Sequence, residues 1–137
     1  MRAPPAPLVP RFDLSGWNTL GLRSCASYGG VLTDESKMIA AAQFADRVGL
    51  PFHMLGRGSN CLLAEKIDAV VGIAGARGRR MQHVGGGVRV IARAGETWDD
   101  IVRWTVGRAS AGSRTLRGFR VQPGPLRSRI SALSASS

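Results

Sequence analysis

The sequence predicts an α+β fold, on three observations. Stretches with helical period occur twice, at 37–48 and 98–108, against several short apolar or alternating runs that read as strands. Their order is strand, helix, strand, turn, strand, hairpin, helix, which is not the regular alternation of a doubly wound sheet. The glycine-rich turn at 56–60 is followed by Cys61-Leu62-Leu63 and a loop rather than a long helix, unlike a dinucleotide fingerprint.

Residues 1–15 open with Pro4, Pro5, Pro7 and Pro10 and are expected to be a disordered leader, with no apolar stretch of signal-peptide type. Residues 20–32 (Leu20, Leu22, Val31, Leu32, broken by Gly29-Gly30) predict one or two short strands. Thr33 or Asp34 caps a helix whose apolar positions Met38, Ile39, Ala42, Phe44, Ala45 and Val48 recur at helical spacing. Gly49 stops it and Pro51 prevents continuation. Pro51 to Leu55 reads as a short buried strand, and Ala69 to Ile73 as another. Gly75 to Arg80 reads as a loop, and Val84 to Ala94 as a hairpin strand around Gly85-Gly86-Gly87. Thr97 caps a last helix, with Asp99 and Asp100 in its first turn, where carboxylates favour the helix dipole.

With 137 residues and 44% apolar content, the chain has room for one ordinary domain with a core. It lacks the roughly 18 consecutive apolar residues that a membrane helix needs. A cytoplasmic location is the default expectation. The net charge is +10, which invites a nucleic-acid reading. Residues 1–112 hold 14 Lys/Arg and nine Asp/Glu, however, and residues 113–137 hold five Arg and no acid. Half of the excess therefore sits in the last 25 residues. Aromatic residues are few and not interleaved with basic ones, so a base-stacking surface is not expected. A small basic nucleic-acid-binding protein is the alternative reading, and a non-catalytic flavin- or nucleotide-binding module is a third.

The candidate site is Gly56, Arg57, Gly58, Ser59 and Asn60, set between Leu50, Phe52, Met54 and Leu55 on one side and Leu62 and Leu63 on the other. A strand ending in such a turn aims several backbone N–H groups one way, a nest suited to phosphate or pyrophosphate. The glycines permit positive φ and close approach, and Ser59 and Asn60 carry side-chain donors. Arg57 either pairs a phosphate oxygen or points into water. His53 is expected to be a packed neutral histidine and His83 a surface residue. Cys25 and Cys61 make no metal or redox spacing, and Cys61 reads as a small apolar residue. Glu96, Asp99 and Asp100 are accounted for by the helix start rather than by catalysis. No Ser/His/Asp or Cys/His constellation can be assembled, and no metal site is expected.

Trp17-Asn18-Thr19-Leu20-Gly21-Leu22, then Gly56-Arg57-Gly58-Ser59-Asn60, then Ala92-Arg93-Ala94-Gly95-Glu96-Thr97-Trp98-Asp99-Asp100 follow one another at intervals of about forty residues. Over roughly 16–112 this order resembles the N-terminal FAD-binding domain of the UDP-N-acetylenolpyruvoylglucosamine reductase family. The resemblance implies the N-terminal part of a vanillyl-alcohol-oxidase-type (PCMH-type) FAD domain, with residues 56–60 around the FAD pyrophosphate. It also implies NADPH as co-substrate and a nucleotide-sugar substrate in the full-length family. Asn18 and Thr19 would either hold the fold under the cofactor or only cap the chain there. The family's proton donor, its stabilising glutamate and arginine and its substrate domain cannot be placed on this chain, which is therefore expected to be inactive.

The resemblance stops at Gly112, where such enzymes continue Gly-x-Glu-Asn-Leu-Ala-Gly-Ile-Pro-Gly. The genetic code permits UCG AGA ACC UUG CGG GGA UUC CGG GUU for Ser113 to Val121. Read from the third base, this gives GAG AAC CUU GCG GGG AUU CCG GGU, which is Glu-Asn-Leu-Ala-Gly-Ile-Pro-Gly. Continuing through Ile130 permits Ser-Ala-Gly-Ala-Ala-Pro-Val-Gln-Asn-Ile. Residues 113–137 are thus expected to be out-of-frame sequence and a disordered basic tail, the chain being a truncated copy.

Overall fold

The computed structural model describes residues 3–59, 61–85, 87–110, 116–122 and 127–134. The fold is mixed α and β, and the chain divides into two compact units, 1–75 and 76–137.

The first unit contains β1 (Val9–Asp13), a 3-10 turn (Ser15–Trp17), β2 (Cys25–Leu32), α1 (Glu35–Val48), β3 (Phe52–Leu55) and β4 (Lys66–Ala74). The sheet order is β1-β2-β4-β3. β1 is antiparallel to β2, while β2, β4 and β3 are parallel. The helix is built as its sequence predicts. The Asp34 carboxylate accepts the Lys37 N–H at 3.0 Å, and Gly49 closes the other end at φ 69°.

Each face of this sheet buries a different set of residues. Ala69, Val71 and Ile73 of β4 pack with Leu14, Ala26 and Leu55, flanked by Phe12, Trp17, Val31, Cys61 and Leu63. On the other face α1 buries Met38, Ala41, Phe44 and Ala45, and the Tyr28 ring meets Phe44 edge-on at 5.0 Å. A register shift between Ala26 and Tyr28 puts these two residues of β2 on opposite faces.

The expected disordered leader is corrected over Val9–Asp13. β1 pairs with β2 from Val9↔Gly29 to Asp13↔Cys25, and Leu8 and Leu14 are buried. Prolines do not prevent this, because β1 is an edge strand, where a missing N–H is tolerated. The Gly29-Gly30 pair does not break β2 as expected. A Cβ on Gly29 would stand 2.5 Å from the Phe12 ring, so glycine is what lets β1 lie this close.

The second unit contains β5 (Arg79–Val84), β6 (Gly87–Arg93), α2 (Trp98–Ser110), β7 (Leu116–Gln122) and β8 (Arg127–Ser134). Its sheet is antiparallel throughout, in the order β5-β6-β8-β7. Val90, Ala92 and Ile101 form its core, with Met81, Val88 and Trp104 packed against them. Thr97 caps α2: its hydroxyl accepts the Asp100 N–H at 3.2 Å and donates to the Asp100 carboxylate at 2.6 Å. That hydroxyl holds the Asp100 carboxyl below its usual range, helped by Arg103, Arg79 and Arg77. Two expectations differ here. The predicted loop at 75–80 already enters β5 at Arg79, and two strands run where a disordered tail was expected. Both tail strands carry every-other-residue apolar positions (Phe119 and Val121, Ile130 and Ala132), which is the pattern a sheet accepts.

The Asp34 cap gives a pH-dependent expectation. Lys37 first, then Ser36, hold its carboxyl far below the ordinary 3.8. A depressed pKa contributes stability that is present above the unfolded value and lost as pH falls through the folded one. The Asp34→Asn variant should therefore melt below wild type at pH 7, with the gap closing in acid. Melting curves at stepped pH check this.

Candidate cofactor site

β3 delivers the candidate turn. Leu55 is buried and pairs with Ile73, and the chain leaves the sheet at Gly56. Gly56, Arg57 and Ser59 are exposed, whereas Gly58 is buried. Asn60, the fifth expected site residue, lies outside the described residues. Among the described residues, Arg57 and Ser59 make no internal side-chain hydrogen bond or ion pair, and their backbone N–H groups are not taken by the chain.

The two glycines have different work. Gly58 has φ +65°, and a Cβ there would fall on the Trp17 carbonyl oxygen and within 3.0 Å of the Asn18 Cα. The Thr19 N–H donates to the Gly58 carbonyl at 3.4 Å. Gly58 is therefore committed to the fold. Gly56 has no atom within 4 Å of a would-be Cβ, so the space beside it is open to another molecule.

Asn18 fixes the surface that Gly58 rests on. Its amide donates to the carbonyls of Leu14 (3.2 Å), Ser15 (3.3 Å) and Leu22 (3.0 Å), and its oxygen accepts the Leu22 N–H at 2.9 Å. Of the two roles left open for Asn18, its contacts supply the local one: every side-chain bond stays within four residues, closing the Ser15–Trp17 turn. The connection after the 56–60 turn is tied down as well: the Ser24 hydroxyl donates to Ala64 O at 2.7 Å, and the Cys25 N–H to Glu65 O at 2.9 Å. Asn18→Ala would remove the three amide donations and the acceptor of the Leu22 N–H, each hydrogen bond contributing roughly 0.5–1.5 kcal/mol net. A loss of about 3 kcal/mol in a urea titration is the expected result.

Other expectations sort as follows. His53 is exposed, not packed, because β3 is an edge strand with only Leu55 buried. His83 is exposed, as read. Cys61 is half-buried against the first unit's core. Glu96 does more than favour a helix start: its carboxylate accepts the Gly78 N–H at 2.8 Å and faces Arg79 at 3.8 Å. Arg79 also donates to the Asp100 carbonyl and lies over Trp104, whose ring Arg108 approaches at 4.8 Å. Nothing in the local sequence marks this clasp, which joins Gly78 and Arg79 to residues seventeen and more positions further on. Among the described residues no His, Cys, Asp and Glu cluster could hold a metal ion, and no helix is long and apolar enough to cross a membrane.

No protein-family model matches the chain. Curated relatives do. It is 36% identical over 105 residues to UDP-N-acetylenolpyruvoylglucosamine reductase of Pseudomonas putida, covering 76% of this chain and 31% of the relative. The protein of that name from Salmonella choleraesuis is 31% identical over 104 residues, covering 76% and 30%. The one from Bdellovibrio bacteriovorus is 35% identical over 95 residues, covering 69% and 28%. The chain is a relative of the UDP-N-acetylenolpyruvoylglucosamine reductases. It spans about a third of the length of the curated reductases it matches. The reductase resemblance carried by the Trp17–Leu22 and Gly56–Asn60 segments is thus matched by likeness along most of the chain.

Proposed function

We propose that this chain is the FAD-binding portion of a flavin- and NADPH-dependent reductase of UDP-N-acetylenolpyruvoylglucosamine, serving cytoplasmic peptidoglycan precursor synthesis. The fold is then the first part of a vanillyl-alcohol-oxidase-type FAD domain. The observation that carries the reading is the exposed turn after β3, anchored at Gly58 and open at Gly56, in a chain related to these reductases. Exposed N–H groups, the Arg57 guanidinium and the Ser59 hydroxyl suit a dianionic pyrophosphate. FAD, when bound, supplies hydride transfer; Gly56, Arg57, Gly58, Ser59 and Asn60 bind and orient its pyrophosphate. Gly58 acts through the shape of the turn, and Gly56 through the room it leaves.

The family's proton donor and substrate domain are not assigned to any residue here, so the 137-residue chain is expected to show no NADPH- and substrate-dependent turnover. Measurable turnover would contradict that. Residues 113–137 are the out-of-frame continuation of the same gene, on the codon reading given above. Sequencing the gene tests this: the neighbouring frame should run on into a substrate domain, and a closed frame there ends the idea. The experiment for the site is a single variant. Gly56→Val should stay folded and lose FAD affinity at least tenfold. Unchanged affinity would place the site elsewhere.

A further inference from the structure

The two units differ sharply in charge. Residues 1–75 hold seven Lys/Arg and six Asp/Glu, whereas residues 76–137 hold twelve Arg and three acids. The excess of +10 therefore falls as +1 and +9. All three acids of the second unit stand at 96–100, and Glu96 and Asp100 are engaged by Gly78, Arg79 and Thr97. None of the four strands contains an acid.

The register gathers this charge on one side of the sheet. Met81, Val88, Val90 and Ala92 face α2, where Ile101 and Trp104 pack on them. The alternate positions Arg80, Gln82, Arg89, Ile91 and Arg93 belong to the opposite face. In backbone register Arg93 pairs with Arg127 and Ile91 with Arg129, while Arg89 pairs with Ser131, itself the partner of Arg120. Among the residues with described side chains, this face thus holds Arg80, Arg89 and Arg93. A cavity of about 190 Å³ at one end of the β5–β6 pair is lined by Gly78, Arg79, Arg80, Ile91, Ala92 and Arg93. Arg80, Arg89 and Arg93 have no carboxylate partner among the described residues.

We propose that this face binds the phosphodiester backbone of nucleic acid without reading sequence. A row of guanidiniums neutralises a polyanion, and the absence of aromatic side chains at these positions leaves no platform for base stacking. The binding is electrostatic, independent of the turn at 56–60, and a property of the chain as it stands.

Fluorescence anisotropy with two labelled DNA duplexes of unrelated sequence, titrated across a salt series, tests it. Both duplexes should bind alike. Arg80→Gln, Arg89→Gln and Arg93→Gln combined should weaken binding at least tenfold and reduce the magnitude of the log–log salt slope by about 3. The matching lysine triple should keep most of the slope, which separates charge from folding. Arg11→Gln, Arg23→Gln and Arg47→Gln, the same charge loss in the first unit, should change the slope by less than about 1. An equal loss in both glutamine triples, an unchanged slope in the first, or binding to anionic lipid vesicles but not to the duplexes would each overturn the proposal. FAD affinity should be the same in wild type and both arginine-to-glutamine triples, so this outcome is distinct from that of the cofactor reading.

Discussion

Replacing Gly58 by valine is expected to unfold the first unit under conditions where the wild type is folded. A non-glycine residue held at φ +65° costs about 1–3 kcal/mol. The new Cβ would also occupy the place of the Trp17 carbonyl oxygen, so backbone on one side has to move. Overpacking adds roughly another 1–3 kcal/mol. The sum, about 2–6 kcal/mol, approaches the total stability of a small domain, about 5–15 kcal/mol. Urea denaturation followed by tryptophan fluorescence reads this, and an unshifted midpoint would mean that Gly58 does not lie against Trp17–Asn18. The contrast with Gly56→Val matters, because the two glycines are two residues apart and only one of them is packed. A loss of FAD in a Gly58 variant alone would report folding, not the site.

The second large effect is at Leu14. It has no exposed surface, its N–H donates to Ser24 O at 2.8 Å, and it packs with Ala26, Leu55, Ala69, Val71 and Ile73. Leu14→Ala should cost about 2–5 kcal/mol, the range for emptying a well-packed leucine site. A chemical-denaturation midpoint equal to wild type would show that the segment before β2 is not part of the core.

The Leu14 result bears on what the sequence could reveal. The helix at 35–48 was legible because its cap, apolar period and terminal glycine all act within a few residues. The buried strand at 69–73 was legible as a continuous apolar run. β1 was not, because proline density signals disorder locally, whereas the strand is held by pairing with Gly29 and Tyr28 far along the chain. His53 was misjudged for a related reason: a short apolar run does not say whether its strand is central or at an edge. At the candidate site, the identity of the turn was readable from Gly56 to Ser59. The division of labour between its glycines was not, because it depends on the Trp17–Thr19 backbone arriving from forty residues away. Glu96 was assigned to the helix start next to it, while its partners, Gly78 and Arg79, lie on the preceding turn and strand.

In the proposed function the turn at 56–60 holds FAD. The measurement that meets it most directly is a titration of FAD into the folded, purified chain, followed by quenching of flavin fluorescence, with Gly56→Val beside wild type. The account predicts saturable binding of one FAD per wild-type chain, weakened at least tenfold in a Gly56→Val protein that melts like wild type. Absence of saturable binding to the folded wild-type chain, or equal affinity in the two proteins, would contradict it.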